Sequence, residues 1–112
     1  MISRQLMAAS TRPIILAILA GGEDYGYSLI QKVRAGSGGA LEWTDGMLYP
    51  VLQRMEMDGL IASRWRGGGD SRPRRYYRIS DRGRKEFAAE LAGWKTVSRA
   101  LARFSEPAPV QG

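Results

Sequence analysis

Neither cysteine nor histidine occurs among the 112 residues of the chain. Their absence excludes a disulfide scaffold, thiolate chemistry, zinc sites built on Cys or His, and acid-base catalysis by imidazole. Long apolar runs are missing too. The most apolar one, residues 13–20, is eight residues long, against the about 20 that a membrane-spanning helix needs. No leader of charged and then small residues precedes it, so a cytoplasmic protein is expected. No repeat of fixed period is visible, and the only low-complexity stretch is the end of the chain, where Pro107 and Pro109 suit a disordered tail over residues 106–112. The remaining reactive side chains are carboxylates, Arg, Lys, Tyr and Ser, and the acids are scattered. No enzymatic activity, cofactor or metal is expected. The length suits one domain that a second copy would help to stabilise.

What the chain has is positive charge in one place. Residues 64–85 hold nine bases (Arg64, Arg66, Arg72, Arg74, Arg75, Arg78, Arg82, Arg84 and Lys85) against Asp70 and Asp81, a local balance of +7. The whole chain carries +6, so the other ninety residues sum to −1. A segment that gathers the surplus charge points to a polyanion, and nucleic acid is the obvious one. The alternative is a solvated, salt-bridged surface, which the two local acids cannot balance. Arg78, Arg82, Arg84 and Lys85 are the weaker members of the group.

The local signals run in a definite order. Thr11, Arg12 and Pro13 form a helix start, followed by the apolar run of Ile14, Ile15, Leu16, Ile18 and Leu19 and stopped by Gly21 and Gly22. A second helix starts at Asp24 or Tyr25, carries Leu29, Ile30 and Val33, and ends in Gly36, Gly38 and Gly39. Thr44 caps a third, with Leu48, Leu52 and Met55 on one stripe and Gly59 closing it. Pro50 interrupts that helix, but the apolar spacing runs through it without a change of phase, so one helix is expected despite the roughly 3 kcal/mol that an interior proline costs. From Leu60 the period becomes two: a hairpin with Ile61, Trp65, Tyr77 and Ile79 on an apolar face and arginines on the other, joined through a loop of three glycines. Trp65 and Tyr77 are expected in the core of this hairpin. Ser80 then caps a helix over residues 81–105 whose Phe87, Leu91, Trp94, Leu101 and Phe104 form one apolar seam. At 1.5 Å per residue it is about 37 Å long, too long for one small body to cover, and a sustained seam of this kind pairs with its symmetry mate.

Three helices and a hairpin give a mainly α fold with a two-stranded β-hairpin, a winged helix-turn-helix extended by a long C-terminal dimerisation helix. The chain resembles the PadR family of bacterial transcription regulators. The resemblance is carried by Tyr25-Gly26-Tyr27, by Gly46-Met47-Leu48-Tyr49-Pro50-Val51-Leu52, by Met55-Glu56-Met57-Asp58-Gly59-Leu60-Ile61, and by Arg74-Arg75-Tyr76-Tyr77-Arg78-Ile79-Ser80 with Gly83. It implies a DNA-binding unit over residues 1–80, in which residues 1–10 support the dimer, followed by the dimerisation helix 81–105, short as in the smaller branch of the family. It further implies a homodimeric repressor on an inverted repeat, released by a small aromatic or lipophilic effector. By the same resemblance Thr44, Gly46, Tyr49 and Arg54 lie in or near the groove of double-stranded DNA, and Tyr25, Ser28, Arg66, Ser71, Arg72 and Arg74 lie on phosphates. Asp45 and the glycine-rich wing tip depart from the family pattern and leave the individual contacts open.

Several residues carry two readings. Tyr49 sits at the edge of the buried stripe, where either groove contact or packing would suit it, and Tyr25 and Tyr27 divide between packing and phosphate hydrogen bonds. Trp94 is a seam knob, and with its mate it can also line a flat cavity for an aromatic ligand. The triple glycine lacks the following Gly-Lys-Ser or Gly-Lys-Thr of a nucleotide-binding loop. Against sequence-specific binding stand a non-specific binder of DNA or RNA and a winged adaptor for protein partners.

Overall fold

The computed structural model describes residues 2–70 and 72–107. It contains α1 (Arg4–Ala20), β1 (Asp24–Tyr25), α2 (Gly26–Gly36), α3 (Asp45–Met57), β2 (Ile61–Arg66), β3 (Arg74–Ile79) and α4 (Asp81–Ser105). The strands form one antiparallel sheet in the order β1-β3-β2. The two-residue β1 makes the sheet three-stranded, because Asp24 and Tyr25 pair with Tyr77 and Tyr76.

The first helix begins earlier than Thr11. Ser3 is its N-cap, accepting a hydrogen bond from the Leu6 amide at 3.1 Å. Thr11 is buried mid-helix and donates its hydroxyl back to the Met7 carbonyl at 2.7 Å. Pro13 lies inside the helix. The upstream turns form because Ile2 and Met7 pack against the core, and tertiary burial outweighs a local cap signal.

The other helix ends follow their chemistry. Thr44 Oγ1 accepts from the Met47 amide at 3.2 Å, and Asp45 occupies the positive end of α3. Gly59, at φ +77°, ends that helix in a left-handed turn in which the amides of Gly59 and Leu60 bond to the carbonyls of Glu56 and Met55. Pro50 is tolerated inside α3 on its exposed side, while Leu48, Leu52 and Met55 are buried. Ile15, Leu16, Leu19 and Leu29 meet this stripe, and Trp43, in the extended link before α3, completes the core with Leu41.

The sheet and α4 are joined at Ser80. Its amide donates to the Leu60 carbonyl, its hydroxyl donates to the Gly59 carbonyl at 2.6 Å, and the same oxygen accepts from the Gly83 amide at 3.0 Å. Arg12 of α1 holds this end from the other side, 3.6 Å from carboxylates of Asp58, Glu86 and Glu90. Beyond that anchor α4 leaves the body. The chain measures 75 × 29 × 21 Å with a radius of gyration of 17.3 Å, against about 13 Å for a compact domain of this length. No helix among the described residues is long and apolar enough to cross a membrane.

Gly83 marks where α4 comes closest to the sheet, and a Cβ there would collide with the Leu60 carbonyl and the Ile79 side chain. Gly83→Ala is expected to lose about 1–3 kcal/mol of stability, measured by urea unfolding. Gly36→Ala in α2, where a Cβ meets nothing within 4 Å, should be neutral or mildly stabilising by the helix preference of alanine.

Candidate nucleic-acid interface

Side chains alternate across the wing, and the register sorts the arginines into two groups. Ser63, Trp65, Arg75 and Tyr77 share the face turned toward α3, while Arg64, Arg66, Arg74, Tyr76 and Tyr25 share the outer face. On the inner face Glu56 of α3 accepts from the Ser63 amide at 3.1 Å, from Ser63 Oγ at 2.9 Å and from Arg75 Nη2 at 3.1 Å, and Arg75 Nε donates to Ser63 Oγ at 2.8 Å. This bracket ties the hairpin to the third helix and takes Arg75 out of the outward-facing charge. Tyr77 is buried behind it, and burial pushes its phenol pKa up.

Trp65 overturns the expectation of a wing-core residue: it is 68% exposed. The reason is distance along the strand. Trp65 pairs across from Arg75, four residues beyond the buried Ile61–Ile79 pair, where no helix remains to cover it. It instead walls a cleft of about 540 Å³ with Tyr27, Asp45, Tyr49, Arg72 and Arg74. The start of the third helix and the tip of the wing thus face one another across an open, aromatic and cationic trench.

Tyr49 contributes to the trench through a close contact with α2. A Cβ built on Gly26 would lie 2.5 Å from Tyr49 Oη and 2.8 Å from Cζ. The glycine of Tyr25-Gly26-Tyr27 is therefore the space in which the phenol ring rests. Tyr49 stays 43% exposed, so packing and outward contact are both features of the one ring. Tyr27, beside it, is exposed.

On the outer face four side chains form a row. The Arg66 guanidinium lies 4.3 Å from the centroid of Tyr76, Tyr76 meets Tyr25 edge-on at 5.3 Å, and the Arg74 guanidinium lies 4.5 Å over Tyr25. Arg66, Arg72 and Arg74 converge with Tyr76 on a polar hollow of about 430 Å³ at the wing tip. Arg64 and Arg66 both pair with Glu23 in the turn before β1.

The profile of the Transcriptional regulator PadR-like family matches residues 15–89. The chain belongs to this family. The PadR-like chain is 33% identical over 96 residues to the transcriptional regulator Rv3488 of Mycobacterium tuberculosis, covering 86% of each. Among solved structures it is similar to a transcriptional regulator from Clostridium thermocellum, with a TM-score of 0.84 and 26% identity over 95% of this chain and all of that one. It is also similar to a PadR family transcriptional regulator from Eggerthella lenta, with a TM-score of 0.78 and 32% identity over 93% of this chain and 88% of that one. The fold is the DNA-binding winged helix of PadR-like regulators.

Within this PadR-like frame the expected contact residues are not all gathered. Tyr25, Tyr49, Arg72 and Arg74 line the trench, and Thr44 and Gly46 flank it at the exposed start of α3. Arg54 stands about 12 Å farther along the helix from Gly46, paired with Asp58 at 3.4 Å. Ser28 gives its hydroxyl proton to the buried Asp24 at 3.0 Å, a carboxylate that also binds Lys32 at 2.7 Å. Ser71 lies outside the described residues. On α4, Phe87 is half-buried against the core of its own chain, whereas Leu91, Trp94, Leu101 and Phe104 are exposed. Val97, 62% exposed, completes the seam. It was missed in the sequence; the gap of seven between Trp94 and Leu101, twice the usual step, was the signal that could have found it. Trp65 was missed because strand alternation alone does not say where the body under a strand ends.

The Gly26–Tyr49 contact can be tested directly. Gly26→Ala should cost about 1–3 kcal/mol in urea unfolding and weaken duplex binding by displacing the ring. Tyr49→Ala in the same chain should recover most of the stability loss and none of the binding, a coupling that a double-mutant cycle measures.

Proposed function

We propose that this PadR-like regulator is a homodimeric, ligand-responsive repressor of the cytoplasm that reads an inverted repeat in double-stranded DNA. The observation that carries the reading is the trench, in which the start of α3 and the arginines of the wing tip address one volume. Thr44, Gly46 and Tyr49 supply discrimination at base edges, and Arg66, Arg72 and Arg74 supply a phosphate grip that ignores sequence. Trp65 adds an apolar surface at the same groove. Arg54, with its guanidinium at the far end of α3, reaches a flanking phosphate, and Ser71 is a further phosphate contact. No step in this function is catalytic.

Pairing through α4 supports the dimer. Trp94, Val97, Leu101 and Phe104 recur at steps of three, four and three, as in a heptad seam, and with Leu91 beside them they are exposed in the single chain, as is Leu6 of α1. A hollow of about 290 Å³ beside Trp94, lined by Glu90, Gly93 and Val97, faces the same side. Closed by a second copy, it would accept a flat aromatic effector stacked on the indole. Binding there would change the spacing of the two wings, and hence the fit to two half-sites.

Two experiments test the reading. In gel shifts on the DNA upstream of the regulator's own gene and on random duplex, Arg72→Ala and Arg74→Ala should weaken both alike, each lowering the salt slope by about 1. Thr44→Ala and Tyr49→Ala should cost about 1–3 kcal/mol on the upstream DNA and little on random duplex. Equal losses from the two classes would refute the division of labour. Leu101→Glu with Phe104→Glu should give a folded monomer by light scattering, with duplex affinity reduced at least about 100-fold by loss of the second half-site; a variant that stays dimeric refutes the seam.

A further inference from the structure

Arg64 and Arg66 share the outer face of the wing, and both are engaged by a carboxylate of the same chain. Arg64 Nη2 donates to Glu23 Oε1 at 3.0 Å and to Oε2 at 3.3 Å, and Arg66 Nη1 closes on Oε1 as well. Arg66 is fixed from its other side by the Tyr76 ring. Glu23 stands next to β1, whereas both arginines belong to β2, with β3 between them. Two strand spacings are about 10 Å, so the contact exists only because two long side chains reach back toward one acid. The hydrogen bond from Arg64 is the main cause that holds the Glu23 pKa below its ordinary value, and the charges of both arginines act in the same sense. The carboxylate is therefore ionised throughout the neutral range.

Two guanidinium groups converging on one two-oxygen anion is also how arginines hold a phosphodiester. Resting on the DNA-binding reading above, we propose that Glu23 is an internal phosphate mimic, which occupies Arg64 and Arg66 in the unbound protein and is exchanged for a backbone phosphate when duplex arrives. The pair of arginines presents a net charge of one instead of two while Glu23 is in place. Ion pairs as exposed as these are weak, so a row of phosphates can displace the carboxylate, at the cost of part of its own binding energy. That cost falls equally on every sequence, since phosphates carry no base information. It lowers the affinity for operator and non-operator DNA by the same factor and leaves the ratio between them unchanged. Discrimination by α3 is untouched.

The test is Glu23→Gln in the full-length protein, titrated by fluorescence anisotropy against random-sequence duplex and against the DNA upstream of its gene. At about 0.1 M salt the variant should bind both probes about fivefold more tightly, the size of one unit-charge contact at close range in water. The gain should shrink as salt rises, and it should vanish when Arg64→Ala and Arg66→Ala are already present. Glu23→Ala should repeat the result, and thermal unfolding confirms that each variant is folded. Equal or weaker binding by the folded variant overturns the proposal, because Glu23 then serves to position the arginines for DNA. So does a gain on one probe only. If the wild-type protein and the variant both fail to bind either probe, the DNA reading itself falls, and the proposal with it.

Discussion

Glu56 is the side chain on which the geometry of the interface depends. It projects from the last turns of α3 and gathers the Ser63 amide, the Ser63 hydroxyl and the Arg75 guanidinium. An α-helix and a β-hairpin are rigid in themselves, but nothing in either fixes the angle between them. A partly buried carboxylate that must be satisfied by three donors does so, because rotating the wing breaks all of them together. With the burial of Ile61, Tyr77 and Ile79 in the core, that bracket sets the trench between Tyr49 and Trp65, and with it the spacing of the groups proposed above to read bases and grip phosphates.

Charge in this protein has to be counted in space. Along the sequence two acids face nine bases between residues 64 and 85, which makes the whole segment look available to a polyanion. In the fold, Glu23 and Glu56, distant in sequence from most of that segment, take up Arg64, Arg66 and Arg75. The outward field is smaller and more local than the composition implies. Arg72 and Arg74 at the wing tip keep their charge without an acidic partner among the described residues, as do Arg78, Arg82, Arg84 and Lys85 farther along.

Much of this was legible beforehand, for identifiable reasons. Thr44, Gly59 and Ser80 are helix-end signals whose meaning is local, and the apolar stripe of Leu48, Leu52 and Met55 carried α3 across Pro50 because burial on one face outweighed a lost bond on the other. The four PadR-like motifs placed these elements in order. Features that depend on what lies above or beside a segment were not legible. Thr11 mimicked a cap because the support for the earlier turns comes from Ile2 and Met7 meeting the core. Asp24 and Tyr25 form a strand only because β3 offers them an edge. Trp65 alternates correctly with Ile61 but lies past the end of the body, and Phe87, expected on the dimer seam by its spacing, is half-buried against the core of its own chain. The sites in the trench divide the same way: Gly26 and Tyr49 stand in separate family motifs, and only the fold shows that one is the space for the other.

The central claim is that the start of α3 and the wing form one duplex-binding face. Hydrogen–deuterium exchange of the protein with and without the DNA upstream of its gene tests it most directly. The account predicts added protection at residues 44–49 and 62–76 together, with the distal turns of α4 unchanged. Protection confined to α4, or appearing in the wing while residues 44–49 exchange as before, would contradict it.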